Sequence, residues 1–252
     1  MNKLIVRMDD LGISKGVNYG IYTAAQYGLA KACGLMSNME DAVHGYELIK
    51  DFRLNMGLHV NIVLGKPVSN ENEVKSLLDE SGNFKNSCYY RSNENDTIVY
   101  EEVVIEIENQ IKQFEKITGF LPEYIDYHAV CTQTFVKAIS DVCNKKKLLY
   151  IPFPNGNIKG KEVIYCDISE NEPFDVKPVD FFEKNKKYIL NNPLAIAVFH
   201  PGYIDSKIMK VSSLNMQRAI DLEYISNSSS KEWLVNNNVK LVDFNEFKKE
   251  EC

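Results

Sequence analysis

The sequence holds only four histidines, His44, His59, His128 and His200. Three of them close short apolar stretches: His59 in Gly57-Leu58-His59-Val60, His128 after Tyr124-Ile125-Asp126-Tyr127, and His200 after Leu194–Phe199. The first apolar stretch, Leu4–Met8, ends instead on two carboxylates, Asp9 and Asp10. Asp10, His59 and His128 together form an O,N,N donor set, and three protein ligands with positions left for water is the composition of a catalytic metal site. Two adjacent acids do not comfortably chelate one ion from a single strand. A division of labour therefore suits Asp9 and Asp10, one as ligand and the other as proton acceptor. On the residues alone, a turn and helix-cap pair is an equal reading of the same two acids. His200 precedes Pro201-Gly202, a tight-turn signal that would aim the imidazole back at a rim. A group with an ordinary pKa near ~6.5 suits proton donation to a leaving amine. His44 sits in a helical stretch with no charged partner at helical spacing and reads as ordinary surface.

The elements that must carry these groups alternate between β-type runs and helical periodicity. Strands are expected at Leu4–Met8, Ala30–Ser37, Asn55–Val63, Glu123–His128, Leu148–Ile151, Leu194–Phe199 and Val239–Val242. Helices are expected over Ser14–Tyr27 (Ser14 as N-cap, Gly28 as stop), Asp41–Lys50, Thr97–Thr118, Thr134–Lys146, Pro178–Leu190, Ser213–Ser226 and Ser230–Asn236, followed by a terminal helical turn. Residues 65–97 read as a long loop with one short helix, of the length usually kept for a functional lid. Pro152 to about Glu172 reads as irregular. Repeated β-then-α units imply a largely parallel sheet, closed as a barrel or open and doubly wound. Asp9, Asp10, His59, His128 and His200 all fall at C-terminal strand ends, where both architectures place ligands. Four strands feeding one rim favour the barrel.

Composition narrows the function. With 29 Lys and Arg against 35 Asp and Glu, the net charge is −6. That balance argues against nucleic acid as the main partner, because phosphate binding needs clustered basic surface. No run approaches the length of a bilayer-spanning helix, and the N-terminal residues lack the apolar core of a signal peptide. The six cysteines are scattered without a C-x-x-C pair, as expected of free thiols in a reducing cytoplasm. A glycoside hydrolase needs two carboxylates on different elements, roughly 5–9.5 Å apart, which the adjacent Asp9 and Asp10 fit poorly. Tyr89, Tyr90, Tyr127 and Tyr203 fall in the presumed rim loops, where aromatic faces stack on sugar rings. Core or surface packing is the alternative for each.

An ordered set of motifs carries a family resemblance. Met8-Asp-Asp-Leu-Gly-Ile-Ser14, Gly57-Leu-His-Val60 with Gly65-Lys-Pro-Val68, Ile125-Asp-Tyr-His128 and His200-Pro-Gly-Tyr203 resemble the successive motifs of the YdjC-type carbohydrate deacetylases, which include chito-oligosaccharide deacetylases. Asn38 after Leu-Met-Ser, and Arg218 in Asn215-Met-Gln-Arg-Ala-Ile-Asp-Leu-Glu223, also resemble family positions. The resemblance implies an α/β fold, a distorted (β/α) TIM-like barrel, as a single domain over 1–252. It implies one divalent metal ion, Mg²⁺ or Zn²⁺, and removal of the acetyl group from an N-acetylated amino sugar or oligosaccharide. Carried over by position, Asp9 would be the base, Asp10, His59 and His128 the metal ligands, and His200 the acid. Asn38, Tyr203 and Arg218 would contact substrate. The expected partner is a small acetylated sugar, with neither nucleic acid nor membrane, in a cytoplasmic protein for which a homodimer is allowed.

One departure stands out. The family continues past the third ligand as His-x-His-x-His, whereas this chain reads His128-Ala-Val-Cys-Thr132, with Val130 and Thr132 in place of two histidines. The departure implies either a different preferred sugar or weakened catalysis. In the limit it implies a sugar-binding or regulatory barrel that retains the metal site.

Overall fold

The first strand organises the molecule, because its ten residues are flanked on both edges by parallel partners. The computed structural model describes residues 2–153, 156–159, 161–166, 177 and 179–247. In chain order the elements are β1 (Asn2–Leu11), α1 (Lys15–Tyr27), β2 (Ala32–Leu35), α2 (Ala42–Ile49), β3 (Asn55–Val60), α3 (Ser87–Ser92), α4 (Tyr100–Thr118), β4 (Tyr124–Tyr127), α5 (Gln133–Lys146), β5 (Gly156–Ile158), β6 (Lys161–Tyr165), α6 (Asp180–Lys184), α7 (Lys186–Asn191), β7 (Leu194–Phe199), α8 (Ile208–Val211), α9 (Met216–Ser226), α10 (Ser228–Asn236) and β8 (Val239–Leu241). The strands lie in the order β4-β3-β2-β1-β7-β6-β5, with β8 also against β1. All pairings are parallel except the β5–β6 hairpin. The sheet curls into a half-barrel with helices outside; among the described residues its edge strands β4 and β5 do not pair, so the curl stays open.

The period of two along each strand separates two packed layers. On β1, Leu4, Val6 and Met8 join the core between sheet and helices, while Ile5 joins the core inside the curl. On β7, Ala195, Ala197 and Phe199 face the helices, and Leu194, Ile196 and Val198 face inward. Continuing the inward series toward the C-terminal strand ends gives Arg7 and Asp9 on β1, His59 on β3, Asp126 on β4 with His128 just beyond it, and His200 after β7. Both faces of these strands are buried, which is why they read as nearly unbroken apolar runs rather than half-polar ones.

Helix boundaries follow local signals. Ser14 caps α1, its Oγ accepting from the Val17 N–H at 3.2 Å, as the sequence implied. Thr132 caps α5, its hydroxyl accepting from the Phe135 N–H. Three expectations are corrected. The stretch read as irregular contains β5 and β6, two short strands paired antiparallel. Residues 148–151 do not form a named strand; Tyr150 makes one parallel bridge to Ile125. The helix expected from Pro178, whose start lies outside the described residues, breaks at Asn185 into α6 and α7. The long loop holds α3, as expected, and is fastened to α4. There the fully buried Glu106 carboxylate accepts the Val68 and Ser69 N–H groups at 3.0 Å each. No helix among the described residues is long and apolar enough to cross a membrane.

Inside the curl, Tyr124 fills the space that Gly57 leaves. It packs on Phe244 with ring centroids 4.4 Å apart, and a Cβ at position 57 would overlap its ring. Gly57→Ala should therefore destabilise the protein by about 1–3 kcal/mol through overpacking. Urea unfolding should show the midpoint lowered with the slope unchanged; an unaltered midpoint would refute this account of the interior.

Candidate metal centre and active site

Strand periodicity delivers Asp9, His59 and His128 to the rim, but Asp10 needs a further device. An ordinary β conformation would send its side chain to the outer face. Instead Asp10 has φ 71°, and the β1–β2 register shifts between Met8 and Leu11. This bulge turns the Asp10 carboxylate onto the same rim as that of Asp9; Asp tolerates the left-handed region better than most residues.

Three donor atoms converge there. Asp10 Oδ1 lies 2.9 Å from His128 Nδ1 and 3.4 Å from His59 Nε2, and the two ring nitrogens are 3.3 Å apart. Asp10 Oδ1 is buried and is faced by these two ring nitrogens. His59 Nδ1 contacts Asp126 Oδ1 at 2.9 Å. With its proton on that nitrogen, the ring presents a lone pair at Nε2 toward the Asp10 carboxylate. Lone pairs facing one another at these distances are what a cation with bonds of about 2.1 Å relieves, so the donor set fits a metal ion.

Ion pairs frame the set. Arg218, 1% exposed, places Nη2 2.7 Å from Asp10 Oδ2. Arg7 reaches Asp9 Oδ2 at 2.7 Å and Asp126 Oδ2 at 2.8 Å. The second oxygen of Asp9, Oδ1, has no partner, so one side of this carboxylate is anchored and the other is free. Burial alone would raise the Asp10 carboxyl, but His128 and Arg218 outweigh it and hold it well below the usual carboxylate range. Burial likewise opposes a charge on His59, and the Asp126, Asp9 and Asp10 carboxylates reverse it, raising the imidazole well above its ordinary value.

His200 stands at the end of β7, partly buried. Its backbone N–H donates to Asp221 Oδ2 at 2.7 Å, and its Nδ1 lies 3.8 Å from the same oxygen. Gln217 donates to the other Asp221 oxygen at 2.9 Å. Burial pushes the His200 imidazole down to about 4 and the Asp221 carboxyl up to about 6.

The structure thus brings Asp9, Asp10, His59 and His128 into one cluster, with His200 within electrostatic reach of both acids. The residues expected to contact substrate also make contacts within the protein. Arg218 is engaged with Asp10 and, through Nε, with the Leu214 carbonyl. Asn38 donates to the Leu64 and Lys66 carbonyls and accepts from Asn61, fastening the loop after β3. The Tyr203 hydroxyl meets Thr23 on α1 at 3.1 Å. Among the other tyrosines, Tyr90 is buried and packs edge-on with Tyr89, and Tyr127 donates to the Phe153 carbonyl. His44 has a polar neighbour after all, Asn18 Nδ2 at 3.0 Å. Val130 is buried and Thr132 is the α5 cap. Three residues were not singled out from the sequence: Arg7, Asp126 and Asp221. Each carried a usable signal. Arg7 and Asp126 precede Asp9 and His128 by two residues and so share their strand face; Asp221 follows Arg218 by three and so shares its helix face.

Comparison with known proteins gives consistent results. A family model described as "YdjC-like protein" matches residues 3–236. Carbohydrate deacetylase 2 of Listeria innocua is 29% identical over 259 residues, covering 98% of this chain and 99% of that protein. The carbohydrate deacetylase of Clostridium beijerinckii is 29% identical, covering 96% and 98%. A crystal structure from Enterococcus faecalis, described as a cellobiose-phosphate cleavage protein, shares the fold with a TM-score of 0.84 at 21% identity, covering 98% of this chain and 99% of that one.

The buried Asp221 carboxyl generates a pH test. Its folded pKa, about 6, exceeds the ordinary aspartate value. Its contribution is therefore fully present below about pH 4 and is lost as pH rises through about 6. Asp221→Asn should gain about 2–3 kcal/mol of stability relative to the parent between pH 4 and pH 7. The opposite trend from His200 is common to both proteins. Denaturant unfolding of chelator-treated protein across that range checks this, and a pH-independent difference would refute it.

Proposed function

Because the chain belongs to the YdjC-like family, we propose that it is a metal-dependent hydrolase that removes the acetyl group from an N-acetylated amino sugar or oligosaccharide and releases acetate. The observation that carries this reading is the pairing of a three-donor cluster with a neighbouring carboxylate, Asp9, whose Oδ2 is anchored by Arg7 while Oδ1 is free. A binding protein has no need of that second, half-free carboxylate. The names of the Listeria and Clostridium relatives support the same chemistry and the sugar substrate.

Asp10, His59 and His128 would hold the cation. Two imidazoles favour Zn²⁺ or a similar transition ion on affinity grounds, while the family resemblance allows Mg²⁺. When bound, the ion supplies a Lewis acid for the acetamide carbonyl. Asp9 does the work of the base: its free Oδ1 takes a proton from the attacking water, and Arg7 keeps the carboxylate from turning away. Arg218 withdraws Asp10 Oδ2 from the centre, leaving Oδ1 as the donor oxygen. His200 delivers a proton to the nitrogen as the C–N bond breaks. Its low proton affinity makes it a strong donor once charged, and Asp221 fixes its backbone. Val130 and Thr132 do not remove a ligand, since both are used by the core and by the α5 cap.

Acetate release from a panel of N-acetylated mono- and oligosaccharides, with and without chelator, tests the activity. Turnover should require added Zn²⁺ or Mg²⁺ and stop with chelator. Asp9→Asn should bind metal as the parent does while turnover falls about 10²–10⁴-fold. Acetate release that persists in the chelated enzyme, or unchanged release by Asp9→Asn, would overturn the proposal.

A further inference from the structure

Arg7 lies one inward step below Asp9 on β1 and is 4% exposed, between Asp9 and Asp126 at 2% and 3%. A charged triad at that depth is costly to desolvate, and apolar residues of similar volume often serve stability equally well. Its geometry is more specific than neutralisation requires. Nη2 donates to Asp9 Oδ2 at 2.7 Å, and Nη1 is ion-paired with Asp126 Oδ2 at 2.8 Å without hydrogen-bond alignment, so one guanidinium spans two carboxylates from different strands. The remaining oxygen of Asp126 meets His59 Nδ1 at 2.9 Å. The opposite ring nitrogen, Nε2, is the one that faces Asp10 and His128.

We infer that Arg7 is a positioning residue that couples the Asp9 carboxylate to the His59 ring through Asp126, so that base and ligand are set by one contact. The inference rests on the reading of Asp10, His59 and His128 as the metal ligands. The order of contacts is Asp9, Arg7, Asp126, His59. Asp126 is oriented from both sides, and its proton-accepting oxygen fixes which nitrogen of His59 carries the lone pair. Arg7 has a second consequence. Asp9, His59 and Asp126 also bring donor atoms within 4.8 Å of one another, and the guanidinium already contacts both of those carboxylates. It thereby keeps an ion on the Asp10 side of His59. Lys would carry the charge but lacks the fork that spans both partners.

Zn²⁺ affinity, measured by calorimetric titration of chelator-stripped protein, separates this role from simple support of the fold. Arg7→Gln and Asp126→Asn should each weaken Zn²⁺ binding about 10–100-fold, the usual effect of losing a partner behind a metal-bound histidine. The double variant should bind no more weakly than the weaker single variant, since both break one chain of contacts. Arg7→Lys preserves the buried charge where Arg7→Gln fails to fold, and it too should bind Zn²⁺ more weakly. Nitrogen NMR of the imidazole in the Zn²⁺-loaded protein should show a single His59 tautomer in the parent and its loss in each variant. Additive losses in the double variant, or unchanged affinity with only a lower melting temperature, would overturn the inference while leaving the metal site standing. A parent protein that binds neither Zn²⁺ nor Mg²⁺ would overturn the metal site and the inference together.

Discussion

Three buried carboxylates, Asp9, Asp10 and Asp126, share one small region of the half-barrel interior, and the centre is built around balancing them. A buried carboxylate persists only if it is paired and hydrogen-bonded. Arg7 and Arg218 supply two positive charges, which leaves the group with one negative charge in excess when the histidines are uncharged. The oxygen that neither guanidinium binds, Asp10 Oδ1, lies where His59 Nε2 and His128 Nδ1 meet. Each guanidinium binds the oxygen that faces away from that point: Oδ2 of Asp10, Oδ2 of Asp9, Oδ2 of Asp126. The electrostatic need for a cation and the geometric opening for one therefore coincide.

The backbone makes this possible by two opposite devices. Regular β structure stacks Arg7 under Asp9 and Asp126 under His128, so each rim group has a partner one inward step below it. A local break in regularity, the bulge at Asp10, adds a second carboxylate from the same strand. A strictly alternating strand would present Asp9 alone. The glycines at 34 and 57 keep the interior open beside these groups: a Cβ at Gly34 would sit 3.1 Å from both Asp9 Oδ1 and His59 Cβ. The space is then filled selectively, by Tyr124 below and by ligand-bearing side chains above.

Much of this was legible in the sequence because strand ends and histidine positions are local signals. The alternation of β and α units, the Ser14 cap, and the rim placement of Asp9, Asp10, His59, His128 and His200 all follow from short-range pattern. What escaped was tertiary. Arg218 resembled a substrate contact, yet its closest charged partner is 208 positions away, on β1. The contact of the Tyr203 hydroxyl with Thr23, 180 positions away, likewise had no local signal. The β5–β6 hairpin was missed because its strands are only three and five residues long. Asp126 and Arg7 were visible as letters, but their role depends on β1 and β4 meeting across the inside of the curl with β2 and β3 between them in the sheet. Periodicity assigns a face; it does not say which residues on that face touch.

The departure at Val130 and Thr132 can be weighed on the same terms. Both positions lie in the turn that leads from His128 into α5, and both have structural work here. Val130 is buried in the core, and Thr132 closes the first turn of the helix, next to the Thr134 N–H bound by Asp96 at 2.7 Å. Arg91 fixes the same turn from the long loop by donating to the Ala129 carbonyl at 3.0 Å. The segment is thus tied to its neighbours through backbone groups and an apolar side chain, rather than by imidazoles. None of these ties touches Asp10 Oδ1, His59 Nε2 or His128 Nδ1. Replacing histidines there changes the surroundings of the third ligand without changing the donor set.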